Sequence, residues 1–460
     1  MTFQAIFPKA LIPGFLLACL LLGGSTRSIW PNLLLQLAAI AILAWCVQQP
    51  PRLQPSAPNR HLWHLVLSML VVLALQLVPL PPQIWTVLPG RQIVANGFDL
   101  LGQPQPWLPL SLTPYDTMAS ALWLLPPLAV LTGILRLGAY REQWLAVALG
   151  LAALGGIVLG ILQVTDGQLG SQWHPYAITN KGHPVGTFAN SNHMGTLLIA
   201  TFPFIAALIT TRDRAARQAA KRMGKTVLLV QGALVLALSL SISGSVAALG
   251  LAVPVVGATL LLRASLRERW ARWGFVAVAV AGLTVTIAIF ASPLSNFRPE
   301  ERANHADYSR FTSFSNGLRA AADTFPFGSG TGSFPSFYPA YEKADMVDSY
   351  FFNHVHNDYI ELALETGLAG VVLMVAFLLW WTRRAIAIWS APTIDYFARA
   401  STIASGAILA HSFVDFPLRT SAIAALFAMA VALMADPRFR VGRERAGQAG
   451  APGARHLSLH

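Results

Sequence analysis

The sequence predicts an all-α integral membrane protein of about twelve transmembrane helices. Three observations predict it: scarce charge, the length of the apolar runs, and the placement of Lys and Arg. Of 460 residues, 55% are apolar types and 11% are charged, against about 25% charged in a soluble domain. Mean hydropathy is +0.54. Too few polar side chains exist to cover a water-facing surface. The apolar residues run continuously for about 20 positions, enough to cross a bilayer core as helix. They do not alternate as barrel strands do.

Taken in order, the first apolar run covers about Lys9 to Gly24 and the second about Trp30 to Val47. No A-x-A site follows the first run, which reads as a span rather than a cleaved signal. The third covers about Leu62 to Pro81, the fourth about Thr117 to Leu135, the fifth about Trp144 to Val164. The sixth covers about Asn192 to Thr210, the seventh about Thr226 to Leu240, the eighth about Gly244 to Leu262. The ninth covers about Trp273 to Ala291 and the tenth about His356 to Trp381. The last two cover about Ala398 to Val414 and about Thr420 to Ala435.

Net charge is +12, and it sits between the runs. Arg212, Arg214, Arg217, Lys221, Arg222 and Lys225 share one connection; Arg263, Arg267, Arg269 and Arg272 share another. Arg136 with Arg141, Arg383 with Arg384, and the basic tail complete the set. With about twelve spans, all fall on one side, which the positive-inside rule makes cytoplasmic along with both termini. That pattern accounts for the charge without nucleic acid, since no basic patch on a binding fold is present. The surface partners expected are membrane lipids. Cys19 and Cys46 lie inside spans and read as small buried residues.

Three longer segments face the other side: about Gln83 to Asp116, about Thr165 to Ser191, and about Ser292 to Val355. The last is long and polar enough to be a structured outer loop. The expected division is residues 1–185 as N-terminal membrane helices, 186–436 as a catalytic region with outer loop 292–355, and 437–460 as a basic, disordered tail.

Chemistry-bearing residues gather on that outer side. Gly186 to His193 opens the sixth span, where Asn190 or Asn192 either caps the helix or contacts substrate together with His193. Arg310 and Arg319 lie nine apart on an expected helix, so they share no tight face. The glycines at 328, 330 and 332 lack a Gly-Lys-Ser ending and read as a turn rather than a phosphate loop. Asn353 to Gly367 is a polar helix start leading into an apolar run. Glu365 lies roughly 13 Å along that helix from His356. A carboxylate at such depth is costly unless paired or used. His354 and His356 lack a carboxylate at ligand spacing, so no metal and no cofactor is expected.

The sequence resembles the O-antigen ligase/polymerase family. The carriers are His356-Asn357 followed by Glu365-Thr366-Gly367, the preceding Arg310 helix with Gly330, Gly332 and Phe334, the Gly186-to-His193 segment, and His411 to Pro417. In this order they span about Gly186 to Leu433. The resemblance implies a metal-independent, inverting membrane glycosyltransferase that uses an undecaprenyl-diphosphate-linked glycan on the outer face of a bacterial inner membrane. It implies His356 as base and Arg310 as diphosphate contact. Asn357, Arg319, Asn190, Asn192, His193 and Glu365 would bind substrate. The chemistry suits these types: imidazole accepts a proton near neutral pH, and a guanidinium meets a diphosphate bidentately.

One departure stands out. Where relatives carry Ser-Arg-Gly, this chain reads Ser241 to Ser245 without arginine. Ser191 also stands where many relatives have arginine. Either Arg298, Arg302, Arg319 or Lys181 then supplies the second cation, or the chain is a divergent or impaired enzyme. Within the family the leaning is to a polymerase that extends a glycan acceptor. The alternatives are a ligase that joins the glycan to lipid A-core or protein and, from another class, a polysaccharide-lipid transporter or flippase. Polar residues on one face, with no repeated halves, speak against transport.

Overall fold

A computed structural model describes residues 3–25, 29–51, 56–165, 172–180, 183–211, 232, 245–291, 310–342 and 352–435. The expected seventh span, the Arg212–Lys225 cluster and the tail fall outside the described residues, as do Arg298, Arg302 and Lys181.

The chain is an all-α membrane protein. Its N-terminal helices are α1 (Phe3–Leu22), α2 (Ile29–Gln48) and α3 (Ala57–Leu75). A short antiparallel ribbon follows, β1 (Pro79–Leu80) with β2 (Leu108–Pro109), enclosing α4 (Pro82–Trp85) and α5 (Gln92–Leu100). Next come α6 (Pro114–Trp123), α7 (Leu125–Leu135), α8 (Glu142–Thr165) and α9 (Ser191–Thr211). The remainder holds α10 (Val246–Leu260), α11 (Arg269–Ala291), α12 (Arg310–Thr324), α13 (Phe334–Phe337), α14 (Asp358–Trp389), α15 (Tyr396–His411) and α16 (Ser421–Ala435). Six described segments are long and apolar enough to cross a membrane: Ile29–Gln48, Pro114–Leu135, Glu142–Thr165, Ser191–Thr211, Val246–Arg263 and Asp358–Trp389. Pro8–Leu22 and Ser421–Ala435 are shorter apolar helices.

Several ends differ from the sequence reading by a few residues, two of them for a clear physical reason. The third run stops being helical at Leu75, six residues before Pro81, because Pro79, Pro81 and Pro82 lack the N–H that continues a helix. The tenth starts at Asp358, not His356, because Asn357 caps it: its Oδ1 accepts from the Tyr359 and Ile360 amides at 3.0 and 3.1 Å.

Helices α9, α15 and α16 form the centre and are buried along most of their length. Helix α16 packs on α7, α15 and α1; helix α9 packs on α15, α8 and α10. Apolar faces of α2, α8, α11 and α14 remain outside, with Leu34, Leu154, Leu283 and Val372 exposed. That inversion suits lipid as the surrounding solvent.

The elements of residues 310–342 attach to α14 at a break. Gly367 adopts φ 60°, ψ −146° inside the helix, and the segment after α12 fills the gap. Leu368 N–H donates to the Pro326 carbonyl at 2.8 Å. Ser329 and Gly330 amides donate to the Leu364 and Glu365 carbonyls at 2.9 and 3.0 Å. A Cβ at Gly367 would sit 2.1 Å from the Pro326 oxygen, so only glycine admits this approach. The glycine run at 328–332 is thus a clamp that returns the freed helical carbonyls to hydrogen bonding. Gln76 completes it, donating to the Glu365 carbonyl at 2.9 Å and accepting from the Thr331 amide at 2.9 Å. Arg91, 2% exposed, reaches across to the Gly328 carbonyl.

Candidate active site

The clamp brings three segments together: the start of α12, residues 352–361, and the turn between α15 and α16. The Asp358 amide donates to the Ser412 carbonyl at 2.9 Å. Asn357 Nδ2 donates to the Phe413 carbonyl at 2.9 Å, and Ser412 Oγ donates to Asp358 Oδ2 at 2.8 Å.

His356 lies at the meeting point. Its φ is 61°, a left-handed conformation uncommon for a side chain other than glycine. Such strain persists only where neighbours fix it. Its Nδ1 lies 3.2 Å from Asp415 Oδ1, and its side chain is 21% exposed while that of Asp415 is fully buried. With Nδ1 committed to the carboxylate, Nε2 is the nitrogen left for chemistry. Burial pushes His356 below its ordinary value, and the Asp415 hydrogen bond partly offsets this. Burial alone would raise Asp415. The His356 hydrogen bond and the charge of Arg310 outweigh it and hold the carboxyl well below the usual range. At neutral pH the pair is therefore a neutral imidazole on an ionised carboxylate.

Arg310 opens α12 and donates to the Val414 carbonyl at 2.6 Å, one residue before Asp415. Arg319 lies elsewhere. It is exposed, with its guanidinium on Asn316 Oδ1 and the Tyr341 carbonyl.

Behind His356, α14 carries a second polar group. Asp358, Glu361 and Glu365 are spaced three and four apart and all are buried. Arg419 answers them. It lies 2.8 Å from Glu365, 3.6 Å from Glu361 and 3.5 Å from Asp358. Burial would lower the guanidinium, but the three carboxylates push it further up. His354 Nδ1 also meets Glu361 Oε1 at 2.7 Å. Phe416 separates the two histidines, with centroids 4.3 Å from His354 and 4.9 Å from His356. A cavity of about 620 Å³ opens beside this network. His354, Glu361 and Arg419 line it with apolar side chains such as Leu73, Leu128 and Phe377.

The site residues read from sequence therefore divide. His356 and Arg310 are brought together. Glu365 instead holds Arg419 and the Gly332 amide, 2.8 and 2.9 Å away. Asn357 is engaged as the helix cap. Asn190 Oδ1 accepts from the Asn192 amide at 2.9 Å, and both remain partly exposed at the start of α9. His193 is 2% exposed. It presents no surface to a glycan and reaches the site through Phe416, 4.9 Å away. No group of three or more metal-ligating side chains is found among the described residues.

Asp415 and Arg419 escaped the sequence reading as functional residues. The signal for Arg419 was present: a buried carboxylate stripe at helical spacing requires a cation from a neighbouring turn. Asp415 lies in the His411-to-Pro417 stretch that resembles the family, but nothing local points to its partner, 59 positions away.

Residues 227–375 match the family described as O-antigen ligase. Over those residues the chain is similar to the O-antigen ligase family. The matched segment contains Arg310, His354, His356, Glu361 and Glu365. Asn190 to His193 and the 411–419 turn lie outside it; His193, through Phe416, and the turn join the site through the fold. No curated protein matches the chain. The described apolar helices are those of a multi-pass membrane protein.

Proposed function

We propose that the protein transfers a glycan from undecaprenyl diphosphate to a glycan hydroxyl on the outer face of the bacterial inner membrane. The observation that carries this is the His356–Asp415 pair beside Arg310, assembled around the family segment. In this reading about twelve spans cross the membrane, both termini are cytoplasmic, and the loop 292–355 faces the periplasm.

His356 Nε2 removes the proton from the acceptor hydroxyl as its oxygen attacks the anomeric carbon. Asp415 fixes the ring tautomer and stabilises the imidazolium. The diphosphate leaves from the opposite side, which inverts the anomeric centre. Arg310 meets the growing negative charge; losing one such donor costs about 2.7–4 kcal/mol in the transition state. Arg419 is a poorer candidate for the second cation, because three carboxylates already neutralise it. Asn190 and Asn192 offer partly exposed amides to hydroxyls of the substrate.

The test is glycan transfer by purified protein in detergent, with a lipid-linked donor and a chelator in place of metal. Activity in the parent and its loss in His356→Ala support the reading. A ladder of product lengths from a single lipid-linked repeat unit means polymerase, as the Asn-x-Asn-His segment favours. Transfer only to added lipid A-core or protein means ligase.

A further inference from the structure

The cavity beside the Arg419 group is set apart from the His356–Asp415 pair. His354, Glu361 and Arg419 are in its wall, and neither His356 nor Arg310 is. Phe416 stands between the two histidines. Helices α3, α7, α14 and α16 supply most of the wall. Lining positions run from Leu62 to Leu73 on α3 and from Ser421 to Val431 on α16, each roughly 15 Å at 1.5 Å per residue. The space is therefore long, and side chains such as Leu73, Leu128, Met374 and Phe427 make most of it apolar. Protein interiors hold few voids larger than a water molecule. A slot of about 620 Å³ with apolar sides has the size of a ligand site, and its length suits an extended hydrocarbon chain.

Polar groups gather in one part of the wall. Asp116, Asp358, Glu361 and Glu365 bring four carboxylates. Among the described residues, Arg419 is the one Lys or Arg in the wall, and three of those carboxylates already share it. A phosphate head would meet a surplus of its own charge, a device by which sites reject the wrong partner. A hydroxyl meets the opposite case, because it donates to carboxylate oxygens, which only accept.

Partners for such a head are present. Asp358 is 8% exposed. Its Oδ1 has no hydrogen-bond partner among the described residues, with Arg419 Nε at 3.5 Å. His354 commits Nδ1 to Glu361 Oε1 at 2.7 Å, which leaves Nε2 for a second partner. With Asp116 these groups come from α6, α14 and the segment before α14. A sugar, with hydroxyls pointing several ways, can use partners from several elements at once.

We propose that this cavity is a second lipid site. It takes the apolar chain of a lipid whose head is an uncharged sugar, seated against Asp358, Glu361 and His354. This goes beyond the proposed transfer. The diphosphate donor belongs at Arg310, and the carboxylates keep it out of this slot. The seated head is held one aromatic ring, that of Phe416, away from His356.

The experiment is photolabelling of the full chain in nanodiscs of phosphatidylcholine. Two probes share a dodecyl chain that carries a diazirine; one has a glucose head and the other a phosphate. Labelled peptides are mapped by mass spectrometry. The glucoside should label the lining stretches of α3 and α16 at least about tenfold more than the phosphate does. Leu128→Trp puts a ring into the slot and should abolish that labelling. Leu73→Trp does the same from α3, and it decides the matter should Leu128→Trp fail to fold. Asp358→Asn lowers the negative charge at the head and should narrow the preference for the glucoside. Equal labelling by both probes, a preference for the phosphate, or lining labels that persist in a folded tryptophan variant overturns the site. So does a parent that takes no label there. Labelling requires no glycan transfer, so an inactive parent counts against the proposed function alone.

Discussion

His356 Nδ1 lies 3.2 Å from Asp415 Oδ1, although 59 residues separate them in the chain. The contact joins the residues just before α14 to the turn between α15 and α16. It orients a strained, partly buried histidine, the base of the proposed mechanism. Asp415→Asn keeps the volume but supplies an amide in place of the ionised acceptor. We expect kcat to fall on the order of 10²-fold with donor KM little changed. Parent-like kcat would show that the carboxylate has no part in orienting the base.

The two helix arginines should behave differently. Arg310→Ala should lose transfer by about 10²–10³-fold, the effect of removing a charge-stabilising donor. Arg319→Ala should stay within about twofold of the parent, because it contacts Asn316 and the Tyr341 carbonyl instead of the His356 cluster. Side-by-side rates on a single donor separate them; equal losses would place both at the diphosphate.

Arg419 and Glu365 are 2.8 Å apart with side chains 19% and 1% exposed. Removing one partner leaves a buried charge uncompensated. Arg419→Met should therefore cost about 3–5 kcal/mol of stability. Arg419→Met combined with Glu365→Gln should cost less than the two single changes added together. A double-mutant cycle by thermal unfolding in detergent reads this directly, and strict additivity would mean that the pair is not coupled.

At Gly367, a methyl group meets the Pro326 carbonyl at 2.1 Å, and the backbone φ is 60°. Gly367→Ala should loosen the outer segment from α14 and abolish transfer while leaving the membrane helices folded. Limited proteolysis near 326–332, compared with helix content, checks it. An intact, active variant would show that the clamp is dispensable.

The pH dependence has a definite sign. His356 is lowered by burial, so the unfolded chain binds its proton first as pH falls below about 6.5. Asp415 is held well below its ordinary value, so its contribution is present above the unfolded carboxylate range and is lost as pH falls through the lowered folded value. Both shifts make acid destabilising. Melting temperature should decline as pH drops below about 6.5 and decline further through the carboxylate range. The slope should be shallower in His356→Gln. Transfer should stay flat around neutral pH, where the imidazole is already neutral. A melting temperature that rises on acidification would contradict both assignments.

The sequence by itself determined the medium and the class of architecture. Charge scarcity and apolar runs admit only helices in lipid, since each backbone group must be paired within its own segment. Through a family resemblance carried by short motifs, the sequence also singled out His356 and Arg310, which the fold brings to one turn. It showed that Glu365 needed a reason for being buried, and the structure supplied Arg419. Tertiary structure alone decided the rest. Asn357 became a cap and His193 a buried neighbour of Phe416, because helix ends and neighbours set which polar atoms are already used. Asp415 and Arg419 became partners of His356 and Glu365 through the packing of the 411–420 turn onto α14. Spacing along a chain cannot report such pairings, because they depend on which helices lie side by side.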